Sequence, residues 1–238
     1  MTRLRHLAGL LVFATALGAG ASSAKDAAPP SAPIFLSQAD VELGLALPPP
    51  PADGSRVQKR EMAELHSLER ARTPKGWARA RWDDTHESGE IFAGALGPWF
   101  VLSSLPATSK LLADVRHEEK IAAKRAKVHF ARGRPWIVDP SLSTCSREDG
   151  PLTSYPSGHT VMGYSMAVVL AAAVPQKSRA IMARADEYAR NRLVCAMHFR
   201  SDIMAGKTLG IEIGQALLAK PAFAAEVRAA AAELRPHR

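Results

Sequence analysis

Ser154-Tyr155-Pro156-Ser157-Gly158-His159-Thr160 runs directly into Val161–Val174, an apolar stretch of 14 residues that stops at Pro175. A bilayer span takes about 20 apolar residues, so this stretch predicts a helix buried in a protein core. Ser157 stands where a cap is wanted. The first N–H groups of a helix lack partners and its dipole is positive at that end, so the start of this helix offers a place for an anion. Gly158 lets a ligand approach the backbone closely, and His159 adds a titratable imidazole. Alone, the same residues are better read as an ordinary N-cap followed by a first-turn surface histidine, since caps are common.

Outward from this segment the chain is read as helices. Asp53 or Ser55 opens a stretch with helical spacing through Arg70. Ser109 is the expected cap of a long helix from Lys110 to about Arg132, with Leu111, Leu112, Val115, Ile121, Ala122 and Val128 available to the core. Residues 133–156 are irregular. Ser178 caps a helix to about Val194, Ser201 or Asp202 starts another to Lys220, and Pro221 opens a short terminal one. There is no internal repeat and no strand-like alternation of useful length. The expectation is an all-α fold, a single-domain helical bundle over residues 53–238. Residues 25 to about 36, rich in Ala, Ser and Pro, are expected to form a loose arm. Leu47-Pro48-Pro49-Pro50-Pro51 is a stiff strap that no helix continues through.

The first 24 residues read as a cleaved signal peptide. Arg3 and Arg5 precede an uncharged, largely apolar run from Leu7 to Ala21, then Ser22-Ser23-Ala24. An uncleaved anchor is the rival, and the run is short for one. No Cys lies at the cut to carry a lipid. The mature chain is expected to be soluble, with no membrane span, in the periplasm or outside the cell. Its two cysteines, Cys145 and Cys195, then read as one disulfide, worth about 4 kcal/mol in the chain-entropy picture of its loop. Two buried thiols are the alternative. The formal charge is +8, and removing Arg3 and Arg5 (8 − 2) leaves +6. Such a balance favours anionic partners. Aromatics are few and no recognition motif is visible, so no nucleic-acid partner is expected. The proline strap is compatible with a homo-oligomer.

Two further segments carry candidate chemistry. In Lys127-Val128-His129-Phe130-Ala131-Arg132-Gly133-Arg134-Pro135, Lys127 and Arg134 lie two helical turns apart and can project on one side of a helix and its exit loop. Arg offers phosphate a planar fork and Lys a compact charge. Asn191-Arg192-Leu193-Val194-Cys195-Ala196-Met197-His198-Phe199-Arg200-Ser201-Asp202 supplies Arg192, His198 and Asp202. Residues four apart meet across a helix or its N-terminal loop, and a carboxylate on one ring nitrogen frees the other as base or nucleophile. Arg192 and His198 do not share a helical face, so a break is expected between them. Singly, these are also solvated cations and a His–Asp surface pair.

Together and in this order, Lys-x6-Arg-Pro, Pro-Ser-Gly-His and Asn-Arg-x5-His-x3-Asp resemble the signature of the phosphatidic acid phosphatase type 2 (PAP2) and vanadium haloperoxidase superfamily. More narrowly, the chain resembles the bacterial class A non-specific acid phosphatases, which share the proline strap, the form of the central motif and cysteines near Cys145 and Cys195. The resemblance implies a broad-specificity, metal-independent acid phosphatase, without a cofactor, acting on small phosphate monoesters. It further implies His198 as nucleophile, Asp202 as its orienting carboxylate and His159 as general acid and then base. Lys127, Arg134, Ser157, Gly158 and Arg192 would bind phosphate. No residue is implied as a metal ligand. Asn191 stands where the family pattern has Ser; an amide both donates and accepts, which leaves open only the fine orientation of Arg192 or of the phosphate. Residues 84–100 match less clearly and are assigned no substrate contact. A vanadate-dependent haloperoxidase and a lipid phosphatase are the alternatives on the same scaffold. A periplasmic anion-binding protein with a decayed site is the non-enzymatic one, although His159, His198 and Asp202 are all present.

Overall fold

The computed structural model describes residues 32–235. The expected signal peptide and residues 25–31 of the arm lie outside them. Among the described residues there are ten α-helical segments and no strand: α1 Gln38–Val41, α2 Arg56–Arg70, α3 Pro74–Thr85, α4 Ala93–Leu96, α5 Pro106–Phe130, α6 Pro135–Val138, α7 Gly158–Ala173, α8 Ser178–Val194, α9 Arg200–Leu218 and α10 Pro221–Leu234. The all-α expectation holds.

The apolar stretch is the central helix. On α7, Val161, Met162, Tyr164, Met166, Ala167, Val169 and Leu170 are each at most 1% exposed. Helix α9 lies against it through Gly206, Gly210 and Gly214, one stripe at four-residue spacing. A Cβ on Gly206 would meet Ser157 O at 2.8 Å, one on Gly210 would meet Val161 O at 2.6 Å, and one on Gly214 would meet Val168 Cβ at 2.8 Å. The partner positions rise with the glycine positions, so α7 and α9 run parallel and their N-termini share one end of the bundle. Helix α8 turns back after Pro175–Lys177, and Gly163 makes room there for the Tyr188 ring. Its C-terminus thus returns to the end where α7 begins.

Helix boundaries differ from the expected ones for local reasons. Helix α5 starts at Pro106 rather than after a Ser109 cap. Pro at the first position loses no hydrogen bond, and Glu233 of α10 accepts from the N–H groups of Ala107 and Thr108 at 3.0 and 2.8 Å. A distant carboxylate replaces the local serine. Ser178 is the first residue of α8, because the 3₁₀ turn of Pro175–Lys177 feeds straight into it. Helix α9 begins at Arg200, and Asp202, three residues past Phe199, accepts from the Phe199 N–H at 2.8 Å. Ser157 caps α7 as expected. Of the core positions expected on α5, Val128 is 76% exposed.

The arm is tighter than its composition suggests. Glu118, fully buried on α5, accepts from the N–H groups of Ile34 and Phe35 at 2.6 and 2.8 Å. Leu36, Val41 and Leu47 belong to the core. Phe35 meets Phe223 of α10 edge to face, and Lys220 pairs with Asp40 at 2.6 Å. From the proline strap, Pro48 O accepts from the Tyr155 hydroxyl at 2.5 Å, fixing the loop that leads into α7.

Helix α3 was not anticipated. Thr73 caps it and Pro74 takes its first position, a legible start signal. It buries only Ala80 and Asp83, however, and so lacks an apolar stripe.

Candidate active site

The three motifs converge where α7 and α9 begin. Lys127 lies in the last turn of α5, which ends on Ala131 in the left-handed region at φ 44°. The chain reverses there, and Arg134 is tied back by its N–H to Pro151 O at 2.8 Å. Helix α8 delivers Arg192 before ending at Val194; the expected break follows, and His198 precedes α9. The Ser157 N–H donates to Asp202 O at 3.1 Å, stitching the two helix starts together.

His198 is 1% exposed. Its Nδ1 lies 2.8 Å from Ser154 O and 3.4 Å from Asp202 Oδ2. Its Nε2 lies 2.8 Å from Arg134 Nη1. Two acceptors face Nδ1 and a donor faces Nε2, so the proton belongs on Nδ1 and Nε2 carries the free lone pair. Burial, with Arg134 and Lys127 adding repulsion, holds this imidazole well below its usual range. The expected His–Asp pair is therefore looser than the spacing suggests: the shorter bond is to a backbone carbonyl. Asp202 is instead the hub of a buried web. It accepts from Arg132 Nη1 at 2.5 Å, Ser154 Oγ at 2.6 Å and the Phe199 N–H at 2.8 Å. Arg132 also reaches Glu61 at 3.0 Å and lies over the Phe199 ring at 4.3 Å. Burial raises the Asp202 carboxyl, with Arg132 opposing.

Arg192 is 1% exposed and pairs with Asp84 through Nη1, while its Nε and Nη2 are buried without a partner. Arg134 Nε is likewise unpartnered. Buried donors left unpaired are costly and rare, and here they belong to cations beside two helix N-termini. Lys127 donates to Thr153 O, and withdrawal of its ammonium from water, with Arg134 nearby, brings it down to about 7. Burial lowers Arg134 to about 10. His159 sits in the first turn of α7, with Nε2 at 3.1 Å from Asp84 O and 3.4 Å from Glu87 Oε1. Burial and then Arg192 push it well below its usual range. A Cβ on Gly158 would meet only Lys127 Cε, at 3.5 Å. Asn191 donates to Asp83 Oδ2 at 2.6 Å, and Asp83 also pairs with Arg184. The amide thus anchors α8 to α3, next to Arg192.

A cleft of about 540 Å³ opens outside His159, lined by Asp84, Glu87, Arg147, Asp149 and Met197 among others. The Cys145–Cys195 disulfide is formed and borders it. Asp84 and Glu87 lie in the segment assigned no substrate contact, and they line the cleft. Arg132, Ser154, Glu61 and Asp149 were missed as well. Arg132 and Ser154 sit inside or beside the quoted motifs, and a buried carboxylate's need for donors is the signal that finds them. Among the described residues, no group of three or more His, Cys, Asp or Glu is placed to hold a metal ion, and no helix is long and apolar enough to cross a membrane.

Residues 107–224 match the family model of the PAP2 superfamily. An acid phosphatase of Zymomonas mobilis is 33% identical over 169 residues, 68% of this chain and 64% of that one, just under two thirds of its length. Non-specific acid phosphatases of Salmonella typhimurium and Providencia stuartii are 27% and 29% identical over 80% and 82% of this chain and 79% and 81% of theirs. Among solved structures, Aquifex aeolicus LpxE superposes with a TM-score of 0.53 at 21% identity, covering 68% of this chain and 94% of that one. A transmembrane PAP2-type phosphatidylglycerolphosphate phosphatase of Bacillus subtilis gives 0.50 at 18%, covering 74% and 89%. At these identities the structural likeness is one of fold. The ordered motifs, the helical architecture and the sequence relatives agree: the chain belongs to the PAP2 superfamily and, within it, resembles the acid phosphatases.

Proposed function

We propose that the protein is an exported, metal-independent acid phosphatase that hydrolyses phosphate monoesters through a phosphohistidine on His198. One observation carries the reading. A neutral imidazole, protonated on Nδ1, presents its Nε2 lone pair inside a buried group of cations whose spare N–H groups have no partner. Phosphoryl transfer needs little beyond positioning and neutralisation of charge on the equatorial oxygens. Arg134, Arg192 and Lys127 supply that charge, and Ser157 with the first N–H groups of α7 completes the cradle.

In the first half-reaction the Nε2–P bond forms as the P–O bond to the alcohol breaks, and His159 gives its proton to the departing oxygen. In the second, water attacks phosphorus, the N–P bond breaks, and His159 takes the water proton. The Nδ1 proton stays between Ser154 O and Asp202, which offset the positive charge on the ring. His159 must be protonated at the outset. Burial and Arg192 oppose this in the empty site, whereas a bound phosphate dianion and the Glu87 carboxylate favour it. Activity therefore needs one neutral and one charged histidine and is bell-shaped in pH, on the acid side.

The test is a panel of phosphomonoesters and one diester, with chelator present, from acid to neutral pH. Monoester turnover with a bell-shaped profile is expected, and a flat profile into alkaline pH contradicts the assignment. Acid-labile labelling by a phosphate ester should vanish in His198→Ala; persistence rules His198 out as nucleophile.

A further inference from the structure

Arg134 is the cation nearest the attacking nitrogen, and its guanidinium is already engaged. Nη1 donates to Met197 O at 3.0 Å and faces His198 Nε2; Nη2 donates to Thr153 Oγ1 at 3.1 Å and pairs with Asp149 Oδ2 at 3.0 Å. The Arg134 side chain is 4% exposed, whereas that of Asp149 is 45% exposed and stands on the wall of the cleft. Asp84, whose side chain is only 9% exposed, pairs with Arg192. The deep carboxylate, Asp202, is committed to Arg132, Ser154 and Phe199. A buried guanidinium needs a counter-charge, and in the empty site these two aspartates provide it.

We propose that Asp149 is a specificity-determining residue, an exchangeable counter-ion that competes with an entering anion for the charge of Arg134. The idea rests on the phosphatase reading, since it assigns the competing ligand to the same cradle. An entering phosphate finds donors in the unpartnered Arg134 Nε and Arg192 Nε and Nη2, while Asp149 on Arg134 Nη2 repels it and offsets part of the charge it would neutralise. A monoester dianion is opposed more strongly by that carboxylate than a diester, which carries one charge. Asp149 thus narrows the preference of the cationic cradle for phosphate monoester dianions over phosphodiesters. Loop geometry suits the exchange: Thr153 is fixed to Gly150 by two bonds to its carbonyl, of 3.2 and 2.7 Å, while Asp149 itself is held through its carboxylate.

The test uses the whole protein at pH 7.5 with inorganic phosphate as probe, titrated by calorimetry into wild type, Asp149→Asn and Asp149→Ala. Phosphate should bind about two- to fivefold more tightly to both variants, the size of an exposed ion pair. The ratio of kcat/KM for a diester to that for the matching monoester should fall, because the dianion gains more from loss of the carboxylate. Unchanged or weaker phosphate binding in Asp149→Ala overturns the proposal, as does an unchanged or higher ratio. Glu148→Gln removes the same charge from the neighbouring position; an equal gain there would reduce the effect to loop charge and also overturn it. Wild type that binds phosphate yet turns over no ester would sink the phosphatase reading alone, because the binding comparison needs no turnover.

Discussion

The floor and the rim of the cleft use the same side-chain types in opposite ways. On the floor, Ser154, His198 and Asp202 are each at most 1% exposed, and Arg132 is 5% exposed. Each has its partners fixed by helix starts that cannot move independently, because the glycine stripe of α9 brings its backbone against that of α7. At the rim, the side chains of Asp149 and Glu87 are 45% and 43% exposed. Their ion pairs compete with water and salt. A carboxylate on the floor therefore defines geometry, and a carboxylate at the rim defines what is easily exchanged.

The contrast is broken most severely at its base. Gly210→Leu puts a Cβ 2.6 Å from Val161 O. Backbone cannot yield as a side chain does, so the cost should exceed the roughly 1–3 kcal/mol of ordinary overpacking. Loss of a cooperative thermal transition is expected, and a wild-type Tm would show that the floor is softer than described. Next, Arg132→Met leaves Asp202 and Glu61 without their shared cation. Breaking such a buried pair costs about 3–5 kcal/mol, measurable by urea unfolding, and kcat should fall with it. Loss of stability with kcat intact would separate Asp202 from His198. At the rim, Cys145→Ser with Cys195→Ser releases a loop of 50 residues. Unfolding should become easier by about 2–4 kcal/mol, with a smaller effect on kcat than on KM, since the residues next to Cys145 line the cleft. A kcat defect as large as that of Arg132→Met would erase the distinction between floor and rim.

The finest comparison concerns Lys127, which links the two. In the empty site it loses its proton near pH 7, so phosphate affinity should weaken as pH rises through that value. Lys127→Arg keeps its charge and should move this limb upward; an unchanged limb assigns it elsewhere. The linkage sign also follows. The unfolded chain holds this proton until its ordinary value of 10.5, so the group makes the empty folded protein more stable, not less, as pH climbs from 7 toward that value.

Much of the floor was legible in the sequence because it rests on local rules. An apolar run, a serine cap and a histidine at a helix start specify α7 without reference to anything distant. The break between Arg192 and His198 follows from the angle of 100° per residue in a helix. The rim was not legible. Asp84, Glu87 and Asp149 are ordinary acidic residues in polar segments, and only the approach of α3 and the loop after α6 gives them arginines. Helix α3 itself shows no clean apolar stripe: Trp77 and Trp82 are only partly buried, and the helix buries an aspartate. The Ser109 cap failed for a related reason: Glu233, more than a hundred residues away, does its work.

The docking of residues 34–48 reaches beyond the site. Phe35 on Phe223, Asp40 on Lys220 and Pro48 on Tyr155 join the beginning of the described chain to its last helix and its middle. Ordering so long an intervening stretch before those contacts can form is slow. Synthesis delivers Lys220 and Phe223 near the end, so these contacts of the early segment close only when nearly all the polypeptide has emerged.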